Sequence, residues 1–286
     1  MRRRLPLLIC LILTALSLSG CAHATRTARA ARFGEPVLRV VAYNLNYGLA
    51  GDEETMAAIA SADADVVFLE ETSPEWEQAL RATLGRTWPH QAYLHAPAAG
   101  GMGVLSRRPF DVKEVLPNPG AWFAALRVVT QTPLGPVQAL VVHLHPPVSE
   151  DGDWVRGSLS SSPARRAELE AWLPALEAGF PTLVAGDFNE GTSGDALQLL
   201  ERRGLRTVLP EFHPAAKTWR WPIGPLMLTA QLDHVAYDRR LEPLDAQVAM
   251  RGRSDHFPVI AEFVRARAAA LRPPAPHGSS LSVTVR

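Results

Sequence analysis

The stretch Thr182-Leu183-Val184-Ala185-Gly186-Asp187-Phe188-Asn189-Glu190 (TLVAGDFNE) joins an apolar run to a polar cluster. Thr182–Ala185 has the length and composition of a buried strand. It stops at Gly186 and presents Asp187 and Asn189 two residues apart, ahead of a second glycine-rich turn. In extended chain, positions i and i+2 share a face, so both side chains can address one target. The competing possibility is an Asx-type turn, in which each side chain caps its own backbone.

Working outward, the same ending recurs. Apolar, β-branched runs lie at Val37–Tyr43, Val66–Leu69, Gly103–Ser106, Ala124–Thr130, Val137–Leu144, Thr182–Ala185, Leu232–Tyr237 and Val259–Phe263. Six polar clusters adjoin these runs: Asn44, Glu70-Glu71, His143, Asp187/Asn189, Asp233-His234 and Ser254-Asp255-His256. One polar ending only marks where a strand stops. Six, drawn from Asn, Asp, Glu and His, predict one rim lined with metal ligands and proton carriers. Amphipathic helical patterns fill three gaps, at Glu53–Ser61, Pro74–Leu84 and Pro163–Ala178. Ser73 before Pro74 makes an N-terminal cap, and Ser162 before Pro163 repeats the device. Early strand–helix alternation, paired strands in the middle and late strands predict two packed sheets with helices outside.

Taken together, these motifs resemble the endonuclease/exonuclease/phosphatase superfamily of metal-dependent phosphoesterases. The strongest piece is Gly186-Asp187-Phe188-Asn189, followed by Ser254-Asp255-His256. Asp65-Val66-Val67-Phe68-Leu69-Glu70-Glu71 and Gly103-Val104-Leu105-Ser106-Arg107-Arg108-Pro109 match two further family stretches. The resemblance spans about Val37 to Phe263. It implies an α/β (α+β) fold, the DNase I-like four-layer sandwich with two packed mixed β-sheets flanked by helices.

The resemblance also implies roles. Glu71, Asn44 and Asp255 would contact the metal, with Glu71 rather than Glu70 as the metal-binding glutamate. Glu70 stands where the family has Gln, which would place a second acid at the metal edge. Few oxygen ligands with retained waters suit Mg²⁺ or Mn²⁺, with Ca²⁺ a further option, rather than a closed zinc site. Asp187 would hold or activate the attacking water, and Asn189 would bind a phosphoryl oxygen. His256, oriented by Asp233, would handle a proton, and His143 would donate to the phosphate or leaving group. His145 and His234 are weaker candidates. The implied reaction is in-line attack of a metal-assisted water on a phosphorus ester. The rival is a non-catalytic, envelope-anchored binding protein that retains the fold.

Arg2-Arg3-Arg4, an apolar stretch from Leu5 to Leu18 and Leu18-Ser19-Gly20-Cys21 read as an export signal. The last four residues resemble the bacterial lipobox, with Cys21 lipidated. Ala22 after that cysteine favours the outer membrane over the inner. The expected organisation is a signal peptide (1–20), a tether (21–36), a phosphoesterase domain (37–266) and a loose tail (267–286). Cys10 and Cys21 are the two cysteines, so the domain itself contains no thiol. The chain has 29 basic and 29 acidic residues; loss of Arg2, Arg3 and Arg4 with the signal leaves an acidic excess of three. That disfavours a tight nucleic-acid binder, while a nuclease needs only a local groove. The expected partners are a membrane, through Cys21, and a phosphoester: nucleic acid, phospholipid or a small molecule. A monomer is expected. Substrate choice falls to the loops Pro97–Met102, His145–Ser162 and His213–Met227. The last carries Trp219-Arg220-Trp221-Pro222, whose aromatics could stack on bases, enter lipid headgroups or cover a core edge. Arg165 and Arg166 either meet a phosphate or lie solvated on a helix face.

Overall fold

A computed structural model describes residues 25–120, 122–147, 157 and 160–267. Two six-stranded mixed sheets stack face to face. The first has the order β13 (Leu241–Val248), β14 (Val259–Arg265), β1 (Leu38–Asn44), β2 (Val66–Glu70), β4 (Met102–Ser106), β3 (His90–Leu94). The second runs β5 (Phe110–Leu116), β6 (Ala125–Thr132), β7 (Gly135–His143), β8 (Thr182–Asp187), β12 (Asp233–Asp238), β9 (Leu205–Thr207). A separate hairpin, β10 (Trp219–Ile223) and β11 (Leu226–Ala230), completes the strands. The α-helices whose residues are all described are α1 (Glu53–Ser61), α2 (Pro74–Leu84), α3 (Ser162–Trp172), α4 (Asp195–Arg202) and α5 (Val208–Phe212).

The layers follow from alternation along buried strands. On β1, Val40 and Ala42 face the other sheet, where they join Phe68, Val104, Val141, Ala185, Val235 and Phe263. Val41 and Tyr43 face outward and are covered by Ile59 of α1 and by Trp76 and Leu80 of α2. On β8, Ala185 faces inward, while Val184 packs against Leu169 and Trp172 of α3 and Leu199 and Leu200 of α4. This is the expected four-layer sandwich.

Local capping holds where the sequence marks it at α2: the Ser73 hydroxyl accepts from the Trp76 amide, with Pro74 at the first position. At α3 the expectation needs correction. Ser161 occupies the cap position without a side-chain bond, and Ser162 opens the helix. The Ser162 hydroxyl is instead committed to Glu190 and to the Asp195 amide, at 2.9 Å each.

Residues 25–36, expected as part of a tether, run along the domain. The Arg26 amide donates to the Glu211 carbonyl, and the Arg26 and Arg29 guanidiniums pair with Glu211, Glu35 and Glu242. The expected signal peptide, Cys21 and the tail beyond residue 267 lie outside the described residues. Among the described residues, no helix is long and apolar enough to cross a membrane.

Candidate active site

Strand register builds the site. β7 and β8 run parallel with His143 opposite Asp187, and β8 and β12 run antiparallel with Asp187 opposite Asp233. Three polar side chains therefore end three adjacent strands of the second sheet side by side. In the first sheet, β1 and β2 are parallel with Asn44 opposite Glu70. The loop before β14 delivers Ser254, Asp255 and His256. The Ser254 hydroxyl donates to the Asn44 carbonyl at 2.8 Å and accepts from the His256 amide at 3.1 Å, fastening that loop to the end of β1.

Asp187 is the hub, and its two oxygens do different work. Oδ1 accepts from the Asn189 amide at 2.8 Å, as in an Asx turn, and Asn189 takes a φ of +53°. Oδ2 accepts from Asn44 Nδ2 at 3.1 Å and lies 3.6 Å from His143 Nε2 and 3.7 Å from His256 Nε2. Of the two possibilities raised by the spacing, the Asx turn is present at Asp187 Oδ1, while Oδ2 stays turned to the site. Asn189 is no longer in extended chain, so the shared face expected for the two side chains does not form. Asn189 Nδ2 donates to the Leu144 carbonyl at 2.9 Å. That fixes the amide plane and leaves its second N–H uncommitted by this bond.

Gly186 is required beneath this hub. Its φ is +138°, and a Cβ there would stand 2.0 Å from the Val142 carbonyl oxygen and 2.7 Å from Glu70 Oε1. No other residue type fits that space. The same contact locates Glu70. Its side chain leaves the end of the first sheet and lies fully buried against the second, with neither carboxylate oxygen hydrogen-bonded. Glu70 thus sits beneath the rim rather than at its metal edge. Burial, then the Asp233 and Asp187 charges, push its carboxyl well above the ordinary range. A neutral carboxylic acid there has the shape and hydrogen-bonding capacity of an amide.

Glu71 takes the other direction. A φ of +57° turns it out of β2, where Oε1 accepts from Asn44 Nδ2 at 3.0 Å and Oε2 from the Tyr47 amide at 3.3 Å. Burial is the chief cause of its raised pKa. Asp255 is held by two donors: Asn46 Nδ2 to Oδ1 and Trp219 Nε1 to Oδ2, at 3.1 Å each.

The imidazoles are set differently. His256 Nδ1 lies 3.0 Å from both oxygens of Asp233, a fully buried carboxylate. Burial disfavours the imidazolium, but the Asp233 and Asp187 charges overcome it and raise the His256 pKa to about 10. His143 has Nδ1 at 3.2 Å from the Ala99 carbonyl and Phe123 stacked on its face at 4.2 Å. Burial pushes its pKa down and favours the neutral ring. His234 is a core residue: Nε2 donates to the Glu190 carbonyl at 3.0 Å, and burial lowers its pKa to about 4. His145 stands apart, its amide donating to Glu168 and its Nδ1 at the Pro146 carbonyl.

The family profile for endonuclease/exonuclease/phosphatase proteins matches residues 41–256. The chain belongs to that family. Solved structures share its fold at low identity. An endonuclease/exonuclease/phosphatase from Beutenbergia cavernae superposes with a TM-score of 0.65 and 20% identity, covering 81% of this chain and 72% of that one. TDP2 from Caenorhabditis elegans gives 0.62 and 15%, covering 80% and 74%. D. rerio TDP2, complexed with a single-strand DNA product, gives 0.59 and 17%, covering 79% and 98%. A comparison with curated proteins returned no match.

Membership of this family implies a divalent cation, and the donor set fits one. Glu71, Asp187, Asp233 and Asp255 converge on the rim above the buried Glu70, and the positive charges that oppose the raised pKa of Asp187 come from His256 and His143. A hard cation with oxygen ligands would relieve that crowding. The oxygens of Asp187 and Asp233 and a His256 nitrogen lie within 4.8 Å of one another, close enough to share an ion. Asn44, Glu71 and Asp255, the set named from sequence, stand in the same hydrogen-bonded network.

Several supporting residues escape the sequence. Arg165 does not lie solvated on its helix: it is buried, with Nε donating to Glu190 Oε2 at 2.9 Å and Nη1 to the His145 carbonyl at 3.1 Å. Arg166 has the solvated role, paired with Glu170 one turn on. Glu190 Oε1 accepts from the Ala196 and Leu197 amides at 2.7 and 3.2 Å, capping α4 from outside the helix. Gly194 makes room for it, since a Cβ there would meet Glu190 Cδ at 2.1 Å. The turn after Asn189 is thereby locked to two helices. The sequence signal was an acid directly after Gly186-Asp187-Phe188-Asn189 with a glycine four residues on.

Proposed function

We propose that the protein is a divalent-metal-dependent hydrolase of phosphoester bonds, of phosphodiesterase or nuclease type, tethered outside the cytoplasm through lipidated Cys21. The observation that carries the chemistry is the position of Asp187 Oδ2 between two imidazoles, 3.6 Å from His143 and 3.7 Å from His256, beside the amide of Asn44. A carboxylate oxygen so placed can orient a water molecule and receive its proton.

His256 is held as the charged acid by Asp233, and its charge opposes the effect of burial on the neighbouring Asp187. His143 faces the same space through Nε2. Its Nδ1–H is spent on the Ala99 carbonyl, so the neutral ring presents an acceptor there and would donate to a phosphoryl or leaving oxygen only on taking up a proton. The free N–H of Asn189 supplies a further donor to developing negative charge. Mg²⁺, or Mn²⁺ or Ca²⁺ in its place, would be held by Glu71 with Asn44 and Asp255 and would polarise the phosphoryl oxygen. The tether rests on the lipobox-like sequence alone. A nucleic-acid substrate has support from the fold shared with a TDP2 that was solved with single-strand DNA.

The test is a panel of plasmid DNA, RNA, sphingomyelin and inositol phosphates with Mg²⁺, Mn²⁺ or Ca²⁺. Cleavage of at least one, abolished in both Asp187→Ala and His256→Ala, is the expected result. Folded protein that cleaves none of them overturns the reading in favour of a non-catalytic relative. Labelling with a palmitate analogue, lost in Cys21→Ser, tests the tether.

A further inference from the structure

The hairpin β10–β11 belongs to neither sheet and stands beside the site. Its base is anchored there: Trp219 bridges to His256 and donates to Asp255, and the Arg220 amide donates to the Asp255 carbonyl. Beyond that base the hairpin is exposed. Trp221, Ile223, Leu226, Met227 and Leu228 keep between 45% and 67% of their surface in water.

Cross-strand register shows how the apolar surface is distributed. Trp221 pairs with Leu228 and Ile223 with Leu226 on one face; Pro222 pairs with Met227 on the other. Both faces of the tip are therefore apolar, and Trp221 to Ala230 contains no charged residue. A hairpin that docked on a protein would bury one face and keep the other polar. Apolar residues on both faces suit an apolar solvent on all sides. An isolated two-stranded ribbon is also marginal in water.

Charge changes sign of character at the base. Lys217, Arg220, Arg251 and Arg253 are carried by the segments that meet there, against two acids, Asp52 and Asp255, which leaves a basic excess. Arg253 lies 3.6 Å from Asp52, and the Arg220 guanidinium lies over the Phe257 ring. Trp219 and Trp221 stack with their planes 6° apart and centroids at 6.5 Å, between this basic base and the tip. Basic groups, then indoles, then aliphatic side chains is the order met on passing from anionic headgroups into acyl chains. Three residues per strand beyond the base reach about 10 Å. That depth matches the headgroup–acyl boundary, roughly 5–10 Å, and falls well short of the roughly 9–11 residues of a spanning strand.

We propose that the β10–β11 tip inserts into the surface of an anionic phospholipid bilayer and holds the Asp187–His256 rim facing the headgroups. The proposal does not depend on the reaction that the rim performs.

The experiment uses the full chain with vesicles of phosphatidylglycerol and phosphatidylcholine brominated on their acyl chains. Flotation alone is not informative, because the N-terminal apolar stretch can hold the chain on a vesicle. Tryptophan quenching is. Seven tryptophans are present, and the expected result is quenching that largely disappears in Trp221→Phe while flotation persists. A Leu226→Ser, Met227→Ser double variant should reduce the quenched fraction about tenfold. Quenching that is the same in Trp221→Phe overturns the proposal. So does a Trp221 signal that responds to single-stranded oligonucleotide and not to vesicles, which would make the hairpin a base-stacking platform.

Discussion

His256 Nδ1 lies at 3.0 Å from both carboxylate oxygens of Asp233, so one buried acid fixes the plane of that imidazole and, together with Asp187, favours its charged form. Asp233 is itself secured by its backbone, whose amide donates to the Thr218 hydroxyl at 3.0 Å. The arrangement makes Asp233 a positioning residue with two separable effects.

Replacement of Asp233 by Asn removes the charge and keeps the shape. The expected loss of phosphoester hydrolysis is about a hundredfold or more, the usual range for proton-handling groups. Stability gives a second readout. The His256 pKa is raised from 6.5 to about 10 in the folded chain. Its stabilising contribution is therefore complete below about pH 6.5 and disappears as pH rises towards about 10. Metal-free wild-type protein should lose thermal stability over that alkaline interval, and Asp233→Asn should lose it at lower pH. Identical pH profiles for the two proteins would show that Asp233 does not hold the charge.

Glu71 and Asp233 should separate metal binding from proton handling. Glu71→Gln keeps the hydrogen-bonding shape near Asn44 and Tyr47 but removes a charge from the oxygen set. Titration of Mg²⁺ or Mn²⁺ by calorimetry should show an affinity lowered about tenfold or more, consistent with loss of a full-charge ligand from a hard-ion site. Asp233→Asn should leave the affinity within a few-fold. The opposite ranking would move the ion to the Asp187, Asp233 and His256 group, whose ligand atoms also lie close enough to share it.

Much of this was readable in the chain because buried strands repeat every two residues and stop on polar groups. Glu53–Ser61 and Pro74–Leu84 fall on helices, the second marked by its Ser73 cap, and the eight apolar runs all fall on strands. Six strands carry no such signal: the half-buried β3, the largely exposed β5, β10 and β11, the three-residue β9, and β13, whose pattern is broken by Pro243 and a bulge. Phe110–Leu116 alternates weakly, and its middle residues lie in water. Asp195–Arg202 was missed because its cap is the side chain of Glu190, not a residue at its own start. Asn44, Glu71, His143, Asp187, Asn189, Asp233, Asp255 and His256 were all named from sequence, and they occupy one network. The inward direction of Glu70 follows from the alternation of β2, which sets it on the same face as Phe68. What was not legible is the left-handed φ of Glu71, which turns that residue out to the rim.

Glu70 offers a test of how a buried acid is tolerated. Its carboxyl is fully buried, makes no hydrogen bond, and is pushed well above the value of 4.5 expected for the unfolded chain. An acid of raised pKa favours the folded state most when both states are protonated. Stability should therefore fall as pH climbs above about 4.5, until the folded carboxyl itself ionises. Glu70→Gln abolishes this dependence. In the presence of a chelator, over about pH 5 to about pH 8, the variant should gain stability relative to wild type progressively as pH rises. Differential scanning calorimetry across that range checks it. A variant less stable than wild type at every pH would show that the carboxylate has a partner in solution.

Glu190 should be the most sensitive residue outside the rim. Its Oε2 accepts from Arg165 and Ser162, and its Oε1 accepts from two amides at the start of α4. Both members of the Glu190–Arg165 pair are almost inaccessible to water. Glu190→Ala would leave the guanidinium buried without its counter-charge, at a cost of about 3–5 kcal/mol. It would also leave the two helix amides without their acceptor. Glu190→Gln retains an acceptor for one set of donors and should cost about 1–3 kcal/mol. Because Glu190 directly follows Asn189, the loss should also reach the Asp187 hub. Denaturant unfolding measures the first effect, and kcat of the folded fraction measures the second. An Ala variant of unchanged stability would mean that water replaces the carboxylate freely, and that the turn after Asn189 is not held in place by α3 and α4.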